Sequence, residues 1–112
     1  GTGKDPWPKV GEIDILEYTG CENDRIMGNL HYEHRHGDWP MKAYRTRNFD
    51  VSTWHTYRVD WRDIGLLFFV DDEVVGLIPA QDCINDWPYN QNEFFIILNL
   101  ALGGSLGGTC LT

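Results

Sequence analysis

Short apolar stretches of strand length recur along the chain, and turn-forming residues separate them. In some of these stretches apolar and polar positions alternate every second residue, which is typical of a β-strand with one buried face, while 65–70 and 93–102 are nearly continuous apolar runs. No stretch combines the roughly 3.6-residue period of a helix with the length of an amphipathic one. The pattern predicts one all-β domain over residues 1–112, built as a β-sandwich or jelly roll. The predicted strands span residues 11–18, 26–33, 54–61, 65–70, 73–78 and 93–102, and 33–47 is predicted to be a long loop with a short strand near Ala43.

The first predicted strand, residues 11–18, sets three carboxylates among Ile, Leu and Tyr. Alternation points Glu12 and Asp14 to the same face, but it would send Glu17 to the opposite face, among the core residues. An unpaired carboxylate buried there would cost several kcal/mol. A β-bulge at Ile15–Leu16 adds one residue, reverses the parity and returns Glu17 to the acidic face. The sequence therefore predicts a bulged strand with three acids on one surface.

Two interpretations of this acidic face remain open from the pattern alone. Acids on a solvated edge strand discourage pairing with other chains, and that role needs no chemistry. Like charges crowded on one face repel each other, however, and a purely structural strand would be more stable with mixed charges. Crowded carboxylates also perturb each other's pKa, which is what a catalytic acid–base pair requires.

Composition and charge narrow the classes of function. A hydrophobic content of 42% and an aromatic content of 13% favour a folded protein over a disordered one. The net charge of −8 argues against nucleic acid and anionic membranes as partners, whereas a neutral polymer fits. No apolar run reaches the length of a membrane span. No secretory leader is present, so any leader is expected to have been removed or omitted.

The chain has three cysteines, Cys21, Cys83 and Cys110, and their spacing is not that of a metal site. An odd count leaves one cysteine unpaired or paired with a partner outside this sequence. The sequence alone does not decide which of the three pair with each other.

The stretch Glu-Ile-Asp-Ile-Leu-Glu resembles the signature of glycoside hydrolase family 16, in the bulged form of its laminarinases (endo-β-1,3-glucanases). Three further segments resemble the same family in the same order. They are Gly-Asn-Leu-His-Tyr at 28–32, Trp-His-Thr-Tyr-Arg-Val-Asp-Trp at 54–61 and Leu-Asn-Leu-Ala-Leu-Gly-Gly at 98–104. The resemblance implies a secreted, extracellular enzyme on a concanavalin-like jelly roll that hydrolyses β-glucan polysaccharide from within the polymer.

The resemblance also implies catalytic roles. Glu12 would be the nucleophile and Glu17 the general acid/base of a retaining double displacement. Asp14 would hold a hydrogen bond to Glu12 and, by its charge, keep Glu17 protonated. In the substrate site, Trp7 and Asn99 match family positions at the cleft, although Trp7 could equally be a core tryptophan or one that packs the loop.

His31 and His55 fall in the matching segments, and each is a further candidate for substrate binding. Each could equally be a satisfied core or rim histidine. Asn99 has a second argument of its own, because it is the one polar side chain inside a run of apolar residues and a buried amide needs partners.

The chain departs from the family in its length, since the parts that usually precede and follow these segments are nearly absent. We therefore expect a partial domain, completed by a second chain or by a missing segment. The family's structural calcium has no evident site in this sequence, so no metal or other cofactor is expected. Two rival functions remain, namely a β-glucan-recognition protein that binds without cleaving and an inactive fragment of the enzyme.

Overall fold

The computed structural model describes residues 1–34, 37–38, 41–83 and 87–108, and within them the regular structure is almost entirely β. The strands are β1 Glu12–Glu17, β2 Met27–His31, β3 Glu33–His34, β4 Gly37–Asp38, β5 Met41–Arg45, β6 Tyr57–Arg62, β7 Gly65–Val70 and β8 Glu73–Pro79. Single helical turns occur at Gly20–Glu22, Ala80–Cys83 and Gly104–Gly107. In this described part, no helix has the length and apolar character needed to cross a membrane. The all-β prediction is confirmed.

Two antiparallel three-stranded sheets form the body of the molecule, one in the order β1–β2–β5 and the other in the order β6–β7–β8. β3 and β4 form a separate two-stranded pair. The larger sheets pack against each other closely, and a Cβ placed on Gly76 of β8 would lie 2.4 Å from the carbonyl oxygen of Ala43 in β5. One hydrophobic cluster joins the two sheets, and its fully buried side chains include Ile26, Leu30, Leu66, Phe68 and Tyr89. This is the packing of a β-sandwich.

The second sheet follows its sequence prediction closely. β7 and β8 form the predicted hairpin around Asp71 and Asp72. Asp71 has a φ of 53°, a left-handed conformation that Asp tolerates better than most residues do.

The region predicted as a long loop holds more strand than expected. β5 runs from Met41 to Arg45 and pairs with β2, and β3 pairs with β4. The polar sequence gives little alternation here, so that pairing with a neighbouring strand decides the structure and intrinsic propensity does not.

The predicted strand at residues 93–102 is wrong. These residues all lie in the described part, and none of them is assigned to a strand. A strand exists only when a neighbour completes its hydrogen bonds, and the two three-stranded sheets as described do not include this segment. Its apolar side chains are exposed instead, with Ile96 at 89%, Leu98 at 94% and Leu100 at 99%.

Cys21 is disulfide-bonded. The side chain of Cys83 and the whole of Cys110 lie outside the described residues. Which cysteine pairs with which therefore stays as open as it was from the sequence. The Sγ atom of Cys21 lies 2.8 Å from the carbonyl oxygen of Gly107, which places the 104–107 turn beside the turn at 20–22.

The exposed segment 95–102 leads to a prediction about association. We expect the purified chain to self-associate, because contiguous exposed apolar patches of this kind rarely persist on soluble monomers. Charged replacements at Ile96, Leu98 and Leu100 should shift the particles toward the monomer mass of 12.9 kDa in light scattering. A matched change at Ile64, which is 80% exposed but lies outside the segment, should leave association unchanged. A wild-type chain that is already monomeric would contradict the prediction.

Candidate active site

The pairing of β1 with β2 contains the predicted bulge. Asp14 pairs with Asn29, and the next aligned pair is Glu17 with Met27, so two residues of β1 lie opposite the single residue Gly28. The extra residue reverses the parity of β1 at this point. Glu12 pairs with His31 on the same ladder. The bulge prediction is therefore confirmed by the register.

Asp14 lies at the centre of the site, with its side chain largely shielded from solvent. Burial raises its pKa first, and the neighbouring Glu12 charge, a hydrogen bond with Glu12 and the Glu17 charge raise it further, to about 8. Nε2 of His31 is 3.2 Å from Oδ2 of Asp14, but the geometry is not that of a hydrogen bond. Asp14 is thus protonated at neutral pH. It acts on Glu12 through the expected hydrogen bond, while the negative charge expected to act on Glu17 is present only at alkaline pH.

The Glu12 carboxylate is fixed by the loop that precedes β1. Nε1 of Trp7 donates a 2.6 Å hydrogen bond to Oε2 of Glu12. The Trp7 ring lies 5.6 Å from the ring of His31, centroid to centroid, and its side chain is 54% exposed. The hydroxyl of Tyr89 fixes the backbone of β2 at this point, because it donates a 2.8 Å hydrogen bond to the carbonyl oxygen of His31. Trp7 therefore both orients Glu12 and presents part of its surface to solvent.

Glu17 is held by an amide that the sequence analysis did not single out. Nδ2 of Asn29 donates a hydrogen bond to Oε2 of Glu17. The signal for this residue was available, because Asn29 and His31 are two residues apart on one strand and so share a face. Asn29 is also the cross-strand partner of Asp14, so it contacts two of the three acids.

His55 has a different environment from the other candidates. Its Nδ1 lies 2.9 Å from Oδ2 of Asp71, and its Nε2 lies 2.8 Å from the carbonyl oxygen of Asp50. The hydrogen bond with Asp71 raises the pKa of His55, and the Asp50 carbonyl adds to the shift. The ring also packs on Phe49 at 4.5 Å. These contacts tie the loop before β6 to the β7–β8 turn, so a role of His55 in substrate binding stays a prediction.

Asn99, the remaining candidate, has an exposed side chain in the segment 93–102. The structure therefore brings Trp7 and His31 together with the three acids and gives Asn99 and His55 other surroundings.

One ligand-type atom from each of Glu12, Asp14 and His31 lies within 4.8 Å of the others. A cation could fit such a spacing, but exposed acidic groups are common without one. Here the proton on Asp14 would have to leave first. The three groups belong to the carboxylate site, and the expectation that no metal is needed stays a prediction.

Comparison with known proteins agrees with the sequence motifs. The sequence profile described as "Glycosyl hydrolases family 16" matches residues 2–107. The chain is 36% identical to "Glucan endo-1,3-beta-glucosidase" of Cryptopygus antarcticus, with 91% of this chain and 41% of the relative covered. It is 32% identical to "Beta-glucanase" of Rhodothermus marinus, with 91% and 38% covered.

A third relative is "Beta-1,3-glucan-binding protein" of Penaeus monodon, which is 30% identical over 90% of this chain and 35% of the relative. The chain thus spans about two fifths of the length of the curated relatives it matches. No solved structure matches it significantly.

Proposed function

Because the chain belongs to glycosyl hydrolase family 16, we propose that it supplies the catalytic residues of an endo-acting hydrolase of β-1,3-glucans. The observation that carries the proposal is the bulged β1, which brings Asp14 into a hydrogen bond with Glu12 and close enough to Glu17 for the Glu17 charge to raise the Asp14 pKa. Retaining glycosidases need two carboxyl groups close together, about 5–5.5 Å apart, one ionised and one protonated.

The proposed reaction has two displacements. In the first, Glu12 attacks the anomeric carbon while Glu17 gives its proton to the departing glycosidic oxygen, and a glycosyl ester on Glu12 results. In the second, Glu17 takes a proton from water, the water oxygen attacks the anomeric carbon, and Glu12 leaves as a carboxylate. Two inversions give net retention of configuration. The protonated Asp14 donates a hydrogen bond to Glu12 and so orients the nucleophile.

Substrate binding is proposed to begin at Trp7. Sugar rings pack their apolar C–H faces on aromatic side chains, and polar groups nearby fix the hydroxyls. Trp7 is half exposed and adjacent to Glu12, so a sugar stacked on it would lie next to the nucleophile. His31, whose ring lies beside Trp7, is in place to contact the same sugar.

A binding protein without hydrolysis is the second candidate, and the name of the Penaeus monodon relative favours it. The retained Glu12 and Glu17 support the enzyme instead, because a protein that only binds has no need of a carboxylate pair. We also propose a secreted, extracellular location, since the disulfide at Cys21 persists best in an oxidising compartment.

Hydrolysis of laminarin tests the proposal. We expect release of reducing sugar, and proton NMR of the first-formed product should show the β-anomer, because two displacements restore the configuration. Sedimentation with insoluble β-1,3-glucan is the parallel binding assay. Binding without release would favour the recognition protein, and an α-anomer as the first product would overturn the assignment of a nucleophile.

A further inference from the structure

A second irregularity lies beside the bulge of β1. The register of β5 against β2 shifts between Gly28 and Asn29, at the same level as the shift of β1 between Asp14 and Glu17. Gly28 is therefore flanked on both sides by strands that carry an extra residue. The residue of β5 that pairs with Gly28 is Tyr44.

Tyr44 crosses beneath β2 and reaches the bulge. It is buried, and its ring covers Gly28 so closely that a Cβ added to Gly28 would lie 2.4 Å from Cε1 of Tyr44. Its hydroxyl donates a 2.7 Å hydrogen bond to the carbonyl oxygen of Ile15, within the bulge. Only a glycine at position 28 leaves room for this path.

The hydrogen bond from Tyr44 satisfies a backbone carbonyl group in the bulge. A bulge leaves one residue outside the regular ladder, and a backbone carbonyl in a partly buried strand needs a donor from elsewhere. Burial raises the pKa of Tyr44, so its hydroxyl keeps its proton. Tyr44 lies on the core side of the sheet, where Gly28 and Leu30 are buried, while the acids lie on the other side.

We propose that Tyr44 is a positioning residue that holds β1 in its bulged register and so sets where Glu17 stands relative to Glu12. It does this from behind the sheet, without touching the substrate. Without its hydroxyl, a register with the opposite parity competes, and that register turns Glu17 away from the acidic face. The inference rests on the proposed function only for the role of Glu17 as acid/base.

The Tyr44→Phe variant removes the hydroxyl and keeps the ring on Gly28. On laminarin we expect kcat to fall roughly tenfold to a hundredfold, with KM changed less than about twofold, because the acid/base moves while the binding groups stay. The matched control is Tyr57→Phe on β6, which packs against the same core but is not part of the β1–β2–β5 sheet. It should keep the wild-type kcat. Equal effects of the two changes would overturn the proposal.

Deleting Leu16 gives a sharper comparison. The deletion leaves Glu-Ile-Asp-Ile-Glu, in which simple alternation already places all three acids on one face. We expect a folded protein with weakened activity, in which Tyr44→Phe causes no further loss of kcat, because the bulge is gone. If the two changes multiply as independent effects would, Tyr44 acts through general packing and the inference is wrong.

A readout without catalysis separates this inference from the proposed function. Cross-strand NOEs between Glu17 and Met27, and between Asp14 and Asn29, report the bulged register directly. In Tyr44→Phe they should weaken or be joined by a second set, while Tyr57→Phe keeps them unchanged. A wild-type chain without hydrolysis but with this NOE pattern would defeat the proposed function alone. Unchanged NOEs in Tyr44→Phe would defeat the positioning role.

Discussion

Replacing Glu12 with glutamine is expected to lower the hydrolysis rate of laminarin on the order of 10⁵-fold, because no other group can form the glycosyl ester. Replacing Glu17 with glutamine should lower it roughly 10²–10⁴-fold, which is the usual contribution of a general acid/base. Both amides have nearly the volume of the acid they replace. Trp7 at Glu12 and Asn29 at Glu17 each keep an oxygen acceptor for their hydrogen bond, because glutamine presents an amide oxygen in place of a carboxyl oxygen.

A substrate with an activated leaving group separates the two roles. A dinitrophenyl β-glucoside of a short β-1,3-glucan needs no proton on its leaving oxygen, so Glu17→Gln should still release dinitrophenol in a burst, and added azide should speed turnover. Glu12→Gln should show neither effect. The control is Glu73→Gln on the exposed face of β8, which should match wild type. A burst from Glu12→Gln would show that the nucleophile is another group.

The alternation of side chains between the two faces of β1 was enough to predict how the three acids come together. A carboxylate cannot be left unpaired in the core, and this alone required a bulge between Asp14 and Glu17, where the register does shift. The β7–β8 hairpin was equally accessible, because two acidic turn residues separate two apolar runs. Both predictions depend on interactions within one strand or between neighbours in sequence.

The wrong prediction at 93–102, and the contacts that the sequence could not show, concern partners distant in sequence. The apolar run at 93–102 indicated a strand, but an apolar run says nothing about whether another strand lies alongside. The role of His55 in substrate binding stays a prediction, because the sequence could not show that its ring is held by Asp71, which comes 16 residues later in the chain. Tyr44 could not be recognised from sequence at all, because its role depends on a missing side chain at Gly28.

The environment that raises the pKa of Asp14 affects both the stability of the fold and the proposed catalysis. Its carboxyl is kept protonated up to about pH 8 by burial and by the charges of Glu12 and Glu17. In the unfolded chain the pKa of the same group lies near its ordinary value of 3.8. Between these values the folded state binds the extra proton, so Asp14 contributes stability that is fully present below about pH 4 and is lost progressively as the pH rises toward 8.

The Asp14→Asn change should therefore raise stability and lower activity. Asparagine can still donate a hydrogen bond to Glu12, but it does not ionise, so the pH-dependent loss disappears. Allowing for the solvent screening of a partly exposed group, we expect a gain of about 1–3 kcal/mol in the free energy of unfolding at pH 8. Activity should fall roughly a hundredfold, because asparagine cannot release a proton when Glu12 loses its charge in the glycosyl ester.

Urea denaturation of wild type and variant between pH 4 and pH 9 measures the stability difference, which should be near zero at the acid end and grow up to about pH 8. Asp72→Asn, on the exposed turn between β7 and β8, is the matched control and should show no such growth. Carboxylates that do not interact with Asp14 titrate alike in wild type and variant, so they cancel in the difference. Two results would contradict the prediction: a difference in the free energy of unfolding that does not change with pH, or a variant less stable than wild type at pH 8. Either would show that Asp14 is ionised in the folded chain and that its hydrogen bond to Glu12 has been misassigned.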